Sequence, residues 1–259
     1  MFGQVSLWMV GIALFTLLYG ALEVGFRTSR SRRSEAEAQG SDFLASATLG
    51  LLALLLGFTF SLALSRHEER RALVIGEANA IGTSWLRIQA IDAADRERLK
   101  APFVRYAATR LAWSRNSDEG ENAAQLYQHT VAKQNEVWQA AMVALANGEA
   151  IVDPKLLLDP LNTSFDLAAE REERRNAHLP AAMLAILLLY MILSTALVGW
   201  RLGEVGRRLM VPSGLTVLLT TLAVVVTLDL DHGQTGAITV SQRAMEAAVA
   251  PILASAPAP

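Results

Sequence analysis

Thr216, Thr220, Thr227 and Asp231 recur at helical spacing along one apolar segment, so a helix there carries hydroxyls and one carboxylate on a single stripe. Rings of such groups line many channels, but threonines inside a membrane helix also satisfy themselves on their own backbone, and the spacing admits both readings. A second set, Ser46, Gly50, Ala53, Gly57 and Ser61, steps by three and four through another apolar segment. Small residues in that register let helix backbones approach closely, or line a narrow pore across a symmetric oligomer. Glu77 and Asn79 follow about three turns beyond the end of that segment. A carboxylate beside an amide can hold a cation, fix register between subunits or serve as a hydrogen-bonded residue of a helical bundle. The pattern Glu68-Glu69-Arg70-Arg71 recurs as Glu172-Glu173-Arg174-Arg175. Antiparallel neighbours at that height form a collar of cross-helix pairs, or the arginines anchor helix ends at lipid headgroups.

Most enzyme chemistries find no constellation here. The four histidines, His67, His129, His178 and His232, are scattered, and Asp229, Asp231 and His232 do not all face one way on a helix, so no metal site is expected. Cysteine is absent, which removes disulfides, thiolate ligands and cysteine nucleophiles. No glycine-rich phosphate loop, Ser-His-Asp arrangement or paired-carboxylate motif stands out, so neither catalytic residues nor a cofactor are expected and the chain reads as a non-enzyme. A formal net charge of −2 offers no basic footprint for nucleic acid.

The elements that position these residues are long and apolar. Hydrophobic residues make up 52% of the chain, and they concentrate in four blocks, Val5–Phe26, Phe43–Leu64, Leu179–Trp200 and Leu209–Leu230. Each is close to the roughly 20 residues a helix needs to cross the hydrocarbon core, and none alternates as a barrel strand would. The fold class is therefore an all-α integral membrane protein with four transmembrane helices. Past Leu64 the second block runs on without a proline, and Val74, Ala78, Ile81, Trp85 and Ile88 keep the 3–4 spacing of an amphipathic helix. Leu99, Phe103, Tyr106 and Trp113 do the same, interrupted by Arg110, and so do Tyr127, Val131, Trp138, Ala141 and Leu145. A last helix starts from about Asn162 and carries Phe165 and Ala168.

The expected organisation is then 1–65, two transmembrane helices with a short basic loop; 66–178, a helical bundle inserted between the second and third spans and continuous with both; 179–231, two further spans; and 232–259, a C-terminal tail. Loop signals fall at Asn116–Gly120 and at Asn147-Gly148, and Ser41 or Asp42 can cap the second helix. Glu23 and Arg27 stand i,i+4 and can pair.

The N-terminus has no basic residue before its first apolar block, unlike a cleavable leader, and four arginines follow that block. The loops Arg27–Asp42 and Arg201–Pro212 together hold seven arginines, and short loops weigh most in setting orientation. These loops are expected on the cytoplasmic side of a bacterial inner membrane, with the helical domain and both termini outside.

The passage Leu55-Leu56-Gly57-Phe58-Thr59-Phe60-Ser61, followed by Arg66, Arg70-Arg71-Ala72-Leu73-Val74 and Glu77-Ala78-Asn79-Ala80-Ile81-Gly82-Thr83, resembles the bestrophin-like domain family of bacterial membrane proteins, a domain of unknown function. The ending Leu228-Asp229-Leu230-Asp231, then Gly236-Ala237-Ile238-Thr239-Val240-Ser241-Gln242, resembles the closing pattern of the same family. The resemblance implies kinship with the bestrophins, pentameric anion channels with four membrane helices per subunit and cytosolic termini. An acidic calcium clasp of the bestrophin kind is not found in this sequence.

Two functions fit these residues. One is an oligomeric ion channel with a pore on the second or fourth span and a helical extramembrane vestibule, its partners being the bilayer, further copies of itself and a small ion. The other is a non-conducting membrane sensor or scaffold whose helical domain binds a partner or ligand.

Overall fold

In the computed structural model of the chain, the described residues are 6–29, 35–116, 121–146, 153–233 and 236–255, with the side chains of 35–42 and 121–123 excepted. Among them are eight helices and no strand: α1 (Leu7–Thr28), α2 (Glu35–Ala90), α3 (Ala93–Arg115), α4 (Glu121–Ala146), α5 (Lys155–Asn176), α6 (Ala181–Val205), α7 (Met210–His232) and α8 (Arg243–Ala254). Four of the helical segments, starting at Leu7, Phe43, Lys155 and Met210, are long and apolar enough to cross a membrane. The chain is an all-helical membrane protein with four spans.

Two helices start earlier than the residue signals suggest. α2 begins at Glu35, upstream of Ser41 and Asp42, because Glu35-Ala36-Glu37-Ala38-Gln39 are strong helix formers. α5 begins at Lys155 and runs through Pro160, which sits near enough to the N-terminus to be absorbed there. The loop residues 117–120 and the helix stop at Asn147-Gly148 lie outside the described residues.

The chain divides into two compact units, Met1–His67 with His178–Thr239, and Glu68–Ala177 with Val240–Pro259. The first unit holds α1, the early part of α2, α6 and α7. Its core is Leu14, Leu18, Leu22, Leu52, Leu187, Met191, Val217 and Val224. Outward it turns Ile12, Leu17, Leu51, Leu54, Phe58, Leu189, Leu193, Leu215 and Leu219, all exposed, as a surface facing lipid rather than water must.

The tightest contact in this unit is between α1 and α6. A Cβ at Gly25 would collide with the Ala196 carbonyl, one at Gly199 with the Leu22 carbonyl, and one at Gly203 with the Phe26 carbonyl. Gly199 and Gly203, four apart, thus form the small-residue face that lets two backbones touch without a hydrophobic driving force. At the α7 end, Asp229 accepts N–H bonds from Ala237 (3.1 Å) and Ile238 (2.9 Å) and fixes the turn after the helix. Gly236 stands there at φ +115 with no room for a side chain beside the Asp229 carboxylate. Glu23 pairs with Arg27 at 2.7 Å and with Arg208 at 3.1 Å.

The second unit packs the later part of α2 with α3, α4, α5 and α8. Val74, Ala78, Ile81 and Ile88 are buried, as the stripe on α2 requires, and Trp85 packs at their edge. Leu99, Phe103 and Tyr106 continue the core, with Trp85 stacked on Phe103 at 6.1 Å and Tyr106 edge-on to Phe165 at 5.3 Å. On α4 the fully buried face is Thr130, Val137, Ala141 and Ala144; of the expected stripe Ala141 lies on it, while Tyr127, Val131, Trp138 and Leu145 are half-buried beside it. The segment set apart as a tail contains α8, whose Met245, Val249 and Ile252 have no exposed surface and belong to this core.

Candidate functional site

The most elaborate polar arrangement lies inside the second unit. Glu77 of α2 points to the core from the same face as Val74, Ala78 and Ile81, so its carboxylate has no exposed surface. Arg110 of α3 arrives opposite because it shares the register of Phe103, Tyr106 and Trp113. Its Nε donates to Glu77 Oε1 at 2.5 Å and its Nη2 to Oε2 at 3.0 Å, a two-pronged pair with both side chains at 0% exposure. Arg171 of α5 also donates to Oε2. It reaches further, to Ser114 Oγ at 3.2 Å and to Gln242 Oε1, just before α8, at 3.1 Å. Arg110 Nη1 points to Thr130 Oγ1 of α4 at 3.4 Å.

Trp113 organises the other side of this cluster. The guanidinium carbons of Arg110, Arg171 and Arg175 lie 4.3, 4.9 and 4.9 Å from the centre of its ring, within cation–π range. Its indole N–H donates to Glu172 Oε2 at 3.1 Å, and Arg175 donates to the Asn116 carbonyl at 2.8 Å.

Electrostatics decide the state of the network. Burial alone would push the Arg110 guanidinium towards losing its proton, but the Glu77 carboxylate outweighs that and holds its pKa above the ordinary arginine value. Burial raises the Tyr106 hydroxyl, helped by the Glu77 charge, so Tyr106 stays neutral and bonds Ser164. The cluster is therefore ionic, and α2, α3, α4 and α5 each contribute a residue to it, with Gln242 reaching it from just before α8. Such a network rarely adds much net stability, since desolvating the ions offsets their attraction. It fixes which helices meet.

Sequence reading found Glu77 and missed its partners. Arg110 registered only as an interruption of an apolar stripe, and that interruption is the signal: a charge in core register needs a buried counter-charge. Asn79, two residues from Glu77, is exposed and takes no part.

The two charge tetrads do several different jobs. Glu69 pairs with Arg174 at 2.7 Å across α2 and α5, both about half-exposed. Arg70 is buried and donates to the carbonyls of Arg174 (3.1 Å) and Ala177 (2.7 Å), satisfying the C-terminal end of α5. Glu68 sits 3.6 Å from Arg71 on its own helix, and Glu173 is exposed. Glu172 and Arg175 turn inward to Trp113 and Asn116.

In the first unit, Ser46, Gly50, Gly57 and Ser61 are all exposed, and a Cβ at Gly50 or Gly57 meets nothing within 4 Å. That face of α2 turns away from the core, which takes Leu52, Thr59 and Ala63 instead. On α7, Thr216 is exposed, Thr220 half-buried and Thr227 buried. Their hydroxyls donate to the carbonyls of Pro212 (3.0 Å), Thr216 (2.9 Å) and Ala223 (2.8 Å) on the same helix. Asp231 is buried and accepts the Leu179 N–H at 3.1 and 3.0 Å. Among the described residues, no three carboxylates or histidines stand close enough to hold a metal ion.

No protein-family model and no curated relative matches the chain. Solved structures do. A variant of the bacterial bestrophin homologue from Klebsiella pneumoniae superposes with a TM-score of 0.68 at 16% identity, covering 94% of this chain and 96% of that one. A second structure of the Klebsiella homologue gives 0.66 at 15% identity over 97% and 100% of the two chains. A crystallised membrane-protein variant gives 0.68 at 15% identity with the same coverage. The fold is bestrophin-like, and it extends over nearly the whole chain.

Proposed function

We propose that this chain is a subunit of an oligomeric ion channel in the bacterial inner membrane. The observation that carries the reading is the exposed small-residue face of α2. Ser46, Gly50, Gly57 and Ser61 are exposed and a Cβ at Gly50 or Gly57 would meet nothing within 4 Å, while the threonines of α7 are satisfied on their own helix and Asp231 is engaged with the start of α6. Copies meeting around α2 would cover this face or line a conduit with it, and a bestrophin-like fold favours that use. In this reading the extramembrane bundle, 66–178, is inserted between the second and third spans, and the arginine-rich loops lie on the cytoplasmic side with the bundle and both termini outside. No reaction is assigned.

The test uses the full chain in nanodiscs and in liposomes. Mass photometry should give a defined oligomer, and ion flux should appear and change on Gly57→Leu or Ser61→Leu. A strict monomer, or no flux in any salt, would favour the second reading, a sensor or scaffold. The observation favouring that reading is the buried Glu77–Arg110–Arg171 network, which ties helices of the bundle into one responsive body. Reporter fusions at Gly120 and Pro259 test the orientation; cytoplasmic signals at both would reverse it.

A further inference from the structure

Asp231 lies in the last turn of α7 with its side chain only 4% exposed, and Leu179, Arg66 and His178 are among the described residues around its carboxylate. The backbone N–H of Leu179, just before the Pro180 cap of α6, donates to both oxygens. Arg66 Nη1 of α2 lies 3.8 Å from Oδ1. His178 Nδ1 lies 3.7 Å from Oδ2, on a side chain 38% exposed and so open to protons. The amide is a fixed dipole and the guanidinium is charged at all physiological pH. Only the imidazole changes charge between about pH 5 and 8.

We propose that His178 and Asp231 form a proton-responsive latch on the entry to α6. At alkaline pH the carboxylate holds α6 through the Leu179 N–H and is balanced by Arg66. On acidification His178 gains a charge next to it, and the residue beside Leu179 becomes a second ionic tie to the same oxygens. The remaining groups at this end define the limits of the device. From α2 come Arg66 and His67. From α7 comes His232, its ring 5.7 Å from that of His178. His232 Nδ1 lies 2.8 Å from the Leu228 carbonyl, which can only accept, so that nitrogen carries a hydrogen. Asp229 is taken up by Ala237 and Ile238, and neither the segment 236–239 nor the first turn of α1 brings another titratable group. The ionic tie exists only while His178 carries a second proton, so the stability it adds is present at low pH and is lost at alkaline pH.

This latch does not depend on ion conduction, so its test reads stability. Thermal unfolding of the full chain in nanodiscs is followed at pH 5.5 and pH 8.5 for the native protein, His178→Gln, His178→Arg, Asp231→Asn and the His178→Gln/Asp231→Asn double variant. At pH 5.5 the native protein should exceed His178→Gln by about 2 °C or more in Tm, a difference that closes at pH 8.5. His178→Arg should keep the gain at both pH values. The effects of His178→Gln and Asp231→Asn should be non-additive at pH 5.5 and additive at pH 8.5. If Asp231→Asn does not fold, the Gln and Arg variants alone decide. An equal difference at both pH values, or a His178→Arg protein that loses stability at pH 8.5, would overturn the latch.

Discussion

Arg110 and Glu77 face each other through two parallel N–H···O bonds, with no exposed surface on either side chain, across 33 residues of sequence. Removing one ion and leaving the other buried is the costly change. Glu77→Gln should destabilise the bundle by about 3–5 kcal/mol, because Arg110 and Arg171 lose their counter-charge in a dry interior. Replacing Glu77 and Arg110 together by leucine and methionine should recover much of that loss. Denaturant unfolding monitored by tryptophan fluorescence, with Trp113 inside the cluster, provides the measurement. Equal losses in the single and double variants would mean the pair does not act as a unit.

Gly199 and Gly203 bring α6 against the α1 backbone. Gly199→Val should push the helices apart and lower stability by about 1–3 kcal/mol, whereas Gly214→Val, where a Cβ meets nothing within 4 Å, should not. Resistance to unfolding in rising detergent separates the two.

Gly236 combines a positive φ with the Asp229 carboxylate at its Cβ position. Gly236→Ala should therefore strain the turn after α7 and expose it to protease, while Asp229→Asn should loosen the same turn by weakening the bonds to Ala237 and Ile238. Limited proteolysis followed by mass spectrometry of the cut sites checks both.

The two arginine contacts between α2 and α5 should differ in size. Arg70→Ala removes donors from the end of α5 and should lower stability by about 1–2 kcal/mol at any salt concentration. Arg174→Ala mainly breaks the half-exposed pair with Glu69, which should be worth no more than about 1 kcal/mol and fade in 1 M salt. Unfolding curves at low and high salt distinguish them.

Gly50→Leu and Gly57→Leu should leave the unfolding of a single chain almost unchanged, since their surroundings are open. If α2 is the contact between copies, both should alter the mass distribution in nanodiscs. An unchanged distribution would move the contact elsewhere.

How much of this could be read from the residues depends on distance along the chain. The four spans are legible because some 20 uncharged residues in a row admit few structures, and the α2 stripe from Val74 to Ile88 follows from local periodicity alone. Glu77 is visible in the sequence as a carboxylate near the apolar stripe, but Arg110 and Arg171 lie 33 and 94 residues away, and no local pattern joins them. The α1–α6 contact was written in the sequence as Gly199-x-x-x-Gly203, a common spacing that does not say which neighbour it serves. The packing of α8 is less legible, because a short segment rich in alanine reads as part of a tail until Met245, Val249 and Ile252 are seen to share one buried face.

Asp229 and Asp231 sit in the same turn of α7 but serve different clients, one the turn that follows the helix and the other the start of α6. Two residues apart on a helix, they point in directions about 200° from each other, so neither can shift register without the other. One residue added to the last turn would release both carboxylates at once. This end of the span therefore has a fixed length. A thicker or thinner bilayer should then be met by tilting of α7 or at its Met210 end, where Met210 and Val211 are exposed.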